Sequence, residues 1–457
     1  MPIVTVNVTQ QVGSTPNKLQ KTGTLVSCGG TSLVAGSDIL LTQLSDLTSY
    51  LAGAISIVAG STTWAAGIVT VTTATAHGFS TGDSVTIAGF VGTGYVGYNG
   101  TYNATVTGAE SFTYAQASTL TTPATGTAVA TDADVSELLA MATTFFAQGS
   151  SLGVYVLEVG HGTIVANIAE FASLLSANPL EYYAYLIPRG WDAQSTFVSL
   201  CLQYNSTTAK QYFCVTATTG TYTSFTALQK AVGMLIEAPG IPETEFSMAA
   251  RFWNQLKYSP SSANPVTPLQ YAFVYGVTPY PATTTQQTTW TAANLDWIGT
   301  GAEGGISNAL ISLGTQCDGN PLNYWYSIDW MQINLNQSVS AAVINGSNNP
   351  LAPLYYNQQG INSLEGVATK TVNQGVSYGL ALGPVTVYQL TASAFTALIQ
   401  SGTAPLGVLV NAVPFASWVA LNPSTYSIGN YGGLACAYTP ARGFATITFN
   451  ISVSNQV

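Results

Sequence analysis

Catalysis needs nucleophiles, proton carriers or metal ligands brought together, and this sequence is poor in all three. Its 457 residues include two histidines, His77 and His161. His161 stands in Glu158-Val-Gly-His-Gly, after an apolar run, where an α/β enzyme could place a reactive group. No G-x-S-x-G accompanies it, so a loop or interface role is expected. His77 lies in Ala76-His-Gly-Phe-Ser-Thr-Gly-Asp, which reads as a turn leading into a strand. Gly92-x-Gly94-x-x-Gly97 spells a dinucleotide fingerprint but runs into Tyr98-Asn99-Gly100. A turn there offers no helix N-terminus to a phosphate. The acidic pairs Asp132/Asp134 and Glu243/Glu245 fall at expected helix starts, where N-capping accounts for them. Asn-x-Ser/Thr triplets such as Asn103-Ala-Thr105 arise by chance in this composition. Cys28, Cys201, Cys214, Cys317 and Cys436 are scattered, odd in number and without C-x-x-C spacing. They read as small buried hydrophobes of a chain folded in a reducing cytoplasm. The expectation is no catalytic residue, no cofactor and no metal: not an enzyme.

The composition points elsewhere. Only 6% of residues are charged, against about 25% in an ordinary soluble domain. The polar surface must be built from hydroxyls and amides, which cost less to bury than charges. Such a surface repels neighbours weakly and suits a subunit covered by copies of itself. Net charge is −10, and the nine basic residues are spread from Lys18 to Arg442, so nucleic-acid binding is disfavoured. The opening Met-Pro-Ile-Val-Thr-Val-Asn-Val has no basic segment of a targeting signal. The uncharged stretch from Leu47 to Gly82 is broken by Gly53, Gly60 and Gly67, so no membrane span is expected.

A multidomain α+β or α/β chain must carry these residues, and its rhythm changes several times. Residues 1–22 read as an arm, with Val4, Val6 and Val8 alternating with polar residues before a linker-like stretch. Residues 23–62 form a first core segment with a strand at Thr24 and a helix near Thr42 to Leu51. Residues 63–131 are rich in Thr, Val and Gly and read as an inserted small antiparallel β-barrel. Residues 132–282 alternate apolar runs, at Gly153, Tyr182, Tyr212, Gly233 and Tyr271, with helical segments. The helices are expected at Val165 to Leu175, Ala193 to Leu202 and Pro242 to Lys257. That alternation predicts a mostly parallel α/β layer. Beyond a Thr/Gln-rich linker, Thr283 to Thr289, residues 283–443 make an α+β domain. Its main helix is expected over Leu322 to Val343, with Trp325, Ile328, Gln332, Leu335, Val339 and Ala342 on one stripe. Residues 444–457 end in a strand with Ile447, Phe449 and Ile451 on one face.

Two segments carry a family resemblance. Ser327-Ile-Asp-Trp-Met-Gln-Ile-Asn-Leu-Asn-Gln-Ser-Val, followed by Pro353-Leu-Tyr-Tyr-Asn-Gln-Gln-Gly-Ile and Val376-Ser-Tyr-Gly-Leu, resembles divergent tail-sheath proteins of contractile phages. Ala76-His-Gly-Phe-Ser-Thr-Gly-Asp-Ser-Val-Thr-Ile-Ala-Gly is similar to a β-barrel decoration of phage structural proteins. The resemblance implies a virion tail protein, assembled in the host cytoplasm as stacked hexameric rings around a tail tube. Baseplate and tail-terminator proteins are its other implied partners, with neither nucleic acid bound nor a membrane entered. It also implies terminal arms that add strands to neighbouring subunits, which makes Val4, Val6, Val8, Ile447, Phe449 and Ile451 the inter-subunit candidates. Asp329, Gln332, Asn336, Glu365 and Lys370 become tube-facing candidates. The family's Asp-Trp helix usually carries basic residues where this chain has Gln332, Asn334 and Gln337, so charge is removed as a basis for docking. Two other classes stay open: a β-rich adhesin or other virion decoration protein, and an α/β hydrolase-like enzyme.

Overall fold

The computed structural model describes residues 21–444 except 93, 122–126, 150, 207, 208, 219, 226–229, 259, 261, 262, 302 and 303. The candidates Val4, Val6, Val8, Ile447, Phe449 and Ile451 lie outside the described residues. Within them the chain forms two compact units: residues 21–257 with 271–319, and residues 258–270 with 320–444.

The first unit begins with β1 (Lys21–Ser27) and β2 (Asp38–Leu41). The helix expected near Thr42 to Leu51 is a 3-10 turn, Leu44–Ser49, fastened by a reciprocal cap between Gln43 and Asp46. The insertion follows, with β3 (Ile55–Ser56), β4 (Thr63–Ala65), β5 (Ile68–Thr72), β6 (Ser84–Ala88), β7 (Gly100–Asn103), β8 (Thr105–Gly108), β9 (Ser111–Ala115) and β10 (Val129–Asp132). These pair as two antiparallel sheets, in the orders β3-β10-β6-β7 and β4-β5-β9-β8. Their alternating residues Val69, Val71, Val85, Ile87, Phe112 and Tyr114 meet in one core. Among the described residues the ladders stay open, so the insertion is two facing sheets and no closed barrel is seen. Tyr102 of β7 stacks on Tyr114 of β9, 4.1 Å between ring centres, and joins the sheets.

Asp132 hands the chain to α1 (Ala133–Ala147), and an alternation of strand and helix then runs through the rest of the unit. Its elements are β11 (Val154–Glu158), α2 (Ile164–Ala177), β12 (Tyr182–Leu186), α3 (Ser195–Gln203), β13 (Tyr212–Ala217), β14 (Val232–Ile236), α4 (Ser247–Leu256), α5 (Thr284–Ala292), β15 (Asp296–Thr300) and β16 (Ala309–Ile311). The sheet order is β16-β15-β14-β13-β12-β1-β11-β2. The six inner strands are parallel and both edge strands antiparallel. Strands β12, β13 and β14 are buried along their whole length, as a sheet covered on both faces requires. On one face Phe171 and Leu175 of α2 and Phe197 of α3 pack on Val26, Tyr185, Phe213 and Val215. Helices α1 and α4 cover the other.

Three expectations change here. Thr283 to Thr289 opens helix α5, because Thr283 and Gln286 form a reciprocal capping box. The run at Tyr271 is not a sheet strand: Tyr271 turns through φ 62° and only Phe273 bridges to Leu310. The sheet takes β15 instead, so the α/β layer continues past residue 282. Glu243 and Glu245 precede α4 without capping it. The Glu245 carboxylate is buried and accepts from Ser247 Oγ, Thr278 N and Thr278 Oγ1, each at 2.7 Å.

The second unit is built on α6 (Leu322–Ser347) and α7 (Gln358–Ser377), which pack together. With them go β17 (Val385–Tyr388), α8 (Ala392–Gln400), β18 (Val408–Ala412), α9 (Phe415–Leu421), α10 (Pro423–Ser427) and β19 (Leu434–Tyr438). Strand β18 lies between parallel β17 and antiparallel β19 and packs on α7. Among the described residues no helix is long and apolar enough to cross a membrane.

Candidate functional site

The carboxyl ends of β1, β10 and β11 bring several ionisable groups of the first unit together. Glu158, the last residue of β11, is fully buried and its carboxylate is saturated. Oε1 accepts from the N–H of Gly29 at 2.7 Å and of Gly160 at 2.9 Å. Oε2 accepts from Ser27 Oγ and Thr31 Oγ1, both at 2.7 Å, and from Thr31 N at 3.2 Å. One carboxylate thus ties the loop after β1 to the loop after β11.

Beside it, Asp132 caps α1: its Oδ1 accepts from Asp134 N at 3.0 Å, which is the capping role read from the sequence. Its Oδ2 lies 3.4 Å from His161 Nδ1. That contact holds the imidazole pKa above its ordinary value, against the opposing effect of burial. Asp83, at the foot of β6, completes a group whose ligand atoms all lie within 4.8 Å of one another. Burial, with Asp132 adding repulsion, raises the Asp83 pKa. These residues are 78 positions apart at the extremes, and the sequence gives no local signal for them. His77 is accounted for inside the insertion. Its Nδ1 accepts from Phe79 N at 3.0 Å, which leaves the proton on Nε2 to be donated to Gly108 O at 3.0 Å. The glycine triplet Gly92, Gly94, Gly97 leads into a single 3-10 turn, Val96–Tyr98.

Arg189, following β12, collects a second group. Its Nε and Nη2 donate to the two oxygens of Glu237 at 2.7 and 3.0 Å, and Nη2 also donates to Glu245 O. The guanidinium lies over the Phe246 ring, and the Arg189 N–H donates to Glu137 Oε1 at 2.9 Å. Burial pushes the Glu137 carboxyl up to about 7 from 4.5, opposed by Arg189. A folded-state pKa raised in this way contributes stability that is full below pH 4.5 and is lost as pH rises through 7. Glu137→Gln should remove that part of the pH dependence. Urea unfolding at pH 5 and pH 8 checks it: the stability lost between the two should be smaller in the variant. Equal losses would mean that Glu137 titrates normally.

In the second unit the tube-facing candidates separate. Asp329 is fully buried and Glu365 nearly so, with Glu365 Oε2 accepting from Gln389 Nε2 at 3.1 Å. Gln332, Asn336 and Lys370 are exposed. Helix α6 buries side chains only from Leu322 to Met331; beyond that turn none is fully buried. Its expected stripe is therefore a core contact at Trp325 and only half-covered at Leu335, Val339 and Ala342. Farther out, Val343, Ile344 (62% exposed), Leu351 (94%) and Tyr355 (66%) face water around the tip between α6 and α7.

No protein-family profile matches the chain. No curated protein matches it in sequence. Among solved structures it is similar to the helical sheath of the anti-feeding prophage in its contracted state, at 8% identity and TM-score 0.49 over 99% of this chain and 98% of that one. It is similar to a chain of the six-fold anti-feeding prophage baseplate, at 10% identity and TM-score 0.47 over 70% and 80%. A sheath tail protein from Listeria innocua gives 8% identity and TM-score 0.43 over 82% and 88%. All three superpositions fall below a TM-score of 0.5, and the assignment of a role rests on the chain's own residues.

Proposed function

We propose that the chain is a structural subunit of a contractile phage tail sheath, polymerising as stacked rings around a tail tube within the virion. The reading is carried by the apolar tip of the α6–α7 hairpin, where Val343, Ile344, Leu351 and Tyr355 lie exposed within a short stretch of chain. A soluble monomer gains nothing by keeping such side chains in water, whereas an assembling subunit covers them with its neighbours. The 6% charge content and the Asp-Trp segment at Asp329–Trp330 support the same reading. Neighbouring subunits are joined by strand addition through the terminal arms, with Val4, Val6 and Val8 on one and Ile447, Phe449 and Ile451 on the other. Gln332, Asn336 and Lys370 are the residues offered to the tube, baseplate and terminator proteins are the end partners, and the β-insertion is a peripheral module.

Negative-stain microscopy tests the proposal. The full chain should form rings or tubes, and deletion of residues 1–20 should abolish them while leaving a folded, soluble monomer. Proline at Val6 should act like the deletion, because it removes a ladder donor. A full chain that stays monomeric at high concentration would sink the sheath reading. Ordered tubes from the truncated chain would sink strand exchange through that arm.

A further inference from the structure

We propose that Asp83, Asp132 and His161 form a divalent-cation site that fastens the β-insertion to the α/β layer. The three donors come from three separate segments: Asp83 immediately precedes β6 inside the insertion, Asp132 ends β10 at its return, and His161 lies in the loop after β11. One imidazole and two carboxylates are the donor types of first-row cations such as zinc and manganese. Bonds of about 2.0–2.2 Å around such an ion put neighbouring donor atoms about 3.4 Å apart. His161 Nδ1 and Asp132 Oδ2 already have that separation, at 3.4 Å, and the whole set lies within 4.8 Å.

Independent features point to a ligand here. Asp83 is 5% exposed, and its Oδ1 is buried with no hydrogen-bond donor, while Oδ2 accepts from Ser80 N at 2.6 Å. A buried carboxylate oxygen without a donor costs free energy unless a cation or proton meets it. The backbone also leaves room for the donors. Gly29 turns through φ 99°, and a Cβ there would come within 2.5 Å of His161 Nδ1 and 3.0 Å of Asp132 Oδ2. The neighbouring shell orients Asp132, whose other oxygen is held by the Asp134 N–H. On the open side a groove of about 460 Å³ reaches Asp132 and His161 past Thr31, Ser56, Thr75 and Phe79, giving water access to the remaining coordination positions.

The full chain, stripped with EDTA and desalted, is titrated with zinc or manganese by calorimetry, and bound metal is counted by elemental analysis after gel filtration. One equivalent per chain is expected, together with a rise in Tm that EDTA reverses. Asp83→Asn and His161→Gln should each weaken binding by at least the roughly 10–100-fold that loss of an outer-shell partner costs, and His77→Gln should leave it unchanged. Two results would overturn the proposal. One is no stoichiometric uptake by the wild-type chain at micromolar metal, a measurement that depends on no variant. The other is uptake that survives both ligand substitutions.

Discussion

Arg251→Met is expected to destabilise the first unit by about 3–5 kcal/mol, the usual loss when one partner of a buried ion pair is removed. Arg251 on α4 and Asp296 at the start of β15 are both 0% exposed. Arg251 Nε donates to Asp296 Oδ2 at 3.1 Å, and Nη2 donates to Thr315 O at 2.8 Å and Gln316 Oε1 at 2.9 Å. Asp296 is further held by the N–H groups of Trp297, Leu313 and Gly314 and by Ser312 Oγ. Methionine keeps much of the volume but leaves a carboxylate and two acceptors in the core without their cation. Gly233 of β14 should be nearly as intolerant, since a Cβ there would lie 2.5 Å from Arg251 Nη1 and 2.6 Å from Gln316 Oε1. Chemical denaturation measures both. A loss for Arg251→Met below about 1 kcal/mol, ordinary for a surface substitution, would mean that the pair does not pin the helix to the sheet.

The second large effect is expected from a change of one atom. Glu158→Gln preserves shape but replaces one acceptor oxygen with an NH2 group, which then faces donors in place of accepting from them. At about 1–3 kcal/mol for each buried donor left without an acceptor, the loss should reach roughly 3 kcal/mol or more. Its signature is local. Amide exchange should accelerate at Gly29 and Gly160 or at Thr31, depending on which side the NH2 occupies, while β13 and β14 stay protected to the limit of global unfolding. Unchanged exchange at all three amides would show that the two loops are held by something other than this carboxylate.

Much of the architecture was legible in the sequence because burial on both faces leaves a simple trace. The apolar runs at Gly153, Tyr182, Tyr212 and Gly233 became β11 to β14, and the helices between them fell close to their expected places. Strand β15 left no such trace: it begins with Asp296, whose charge is paired with Arg251, 45 residues earlier. The Tyr271 run misled for the opposite reason. It is apolar, but its backbone is spent on other partners, with the Tyr275 N–H donating to Gln148 Oε1 at 2.9 Å. Threonine, the commonest residue of α5, favours helices weakly, so α5 depended on a cap that composition does not reveal. Asp132 was read as a cap and is one, but its second oxygen, the one facing His161, belongs to the folded chain alone.

The place of β1 in the sheet order bears on how the chain is made. It is first among the described strands in sequence, yet it lies between β11 and β12, whose last residues are Glu158 and Leu186. At a synthesis rate of about 5–20 residues per second, β1 waits on the order of 10 s before both flanking strands have left the ribosome. The insertion does not wait. Its pairings, such as β8 with β9 and β6 with β7, join nearby residues and can form within the nascent chain. When β11 arrives, the folded insertion already holds the ends of β1's segment and of β10 close together through the pairing of β3 with β10. The loop that β1 must close is then far shorter than the 126 residues between Ser27 and Val154 suggest, and its entropic cost falls accordingly.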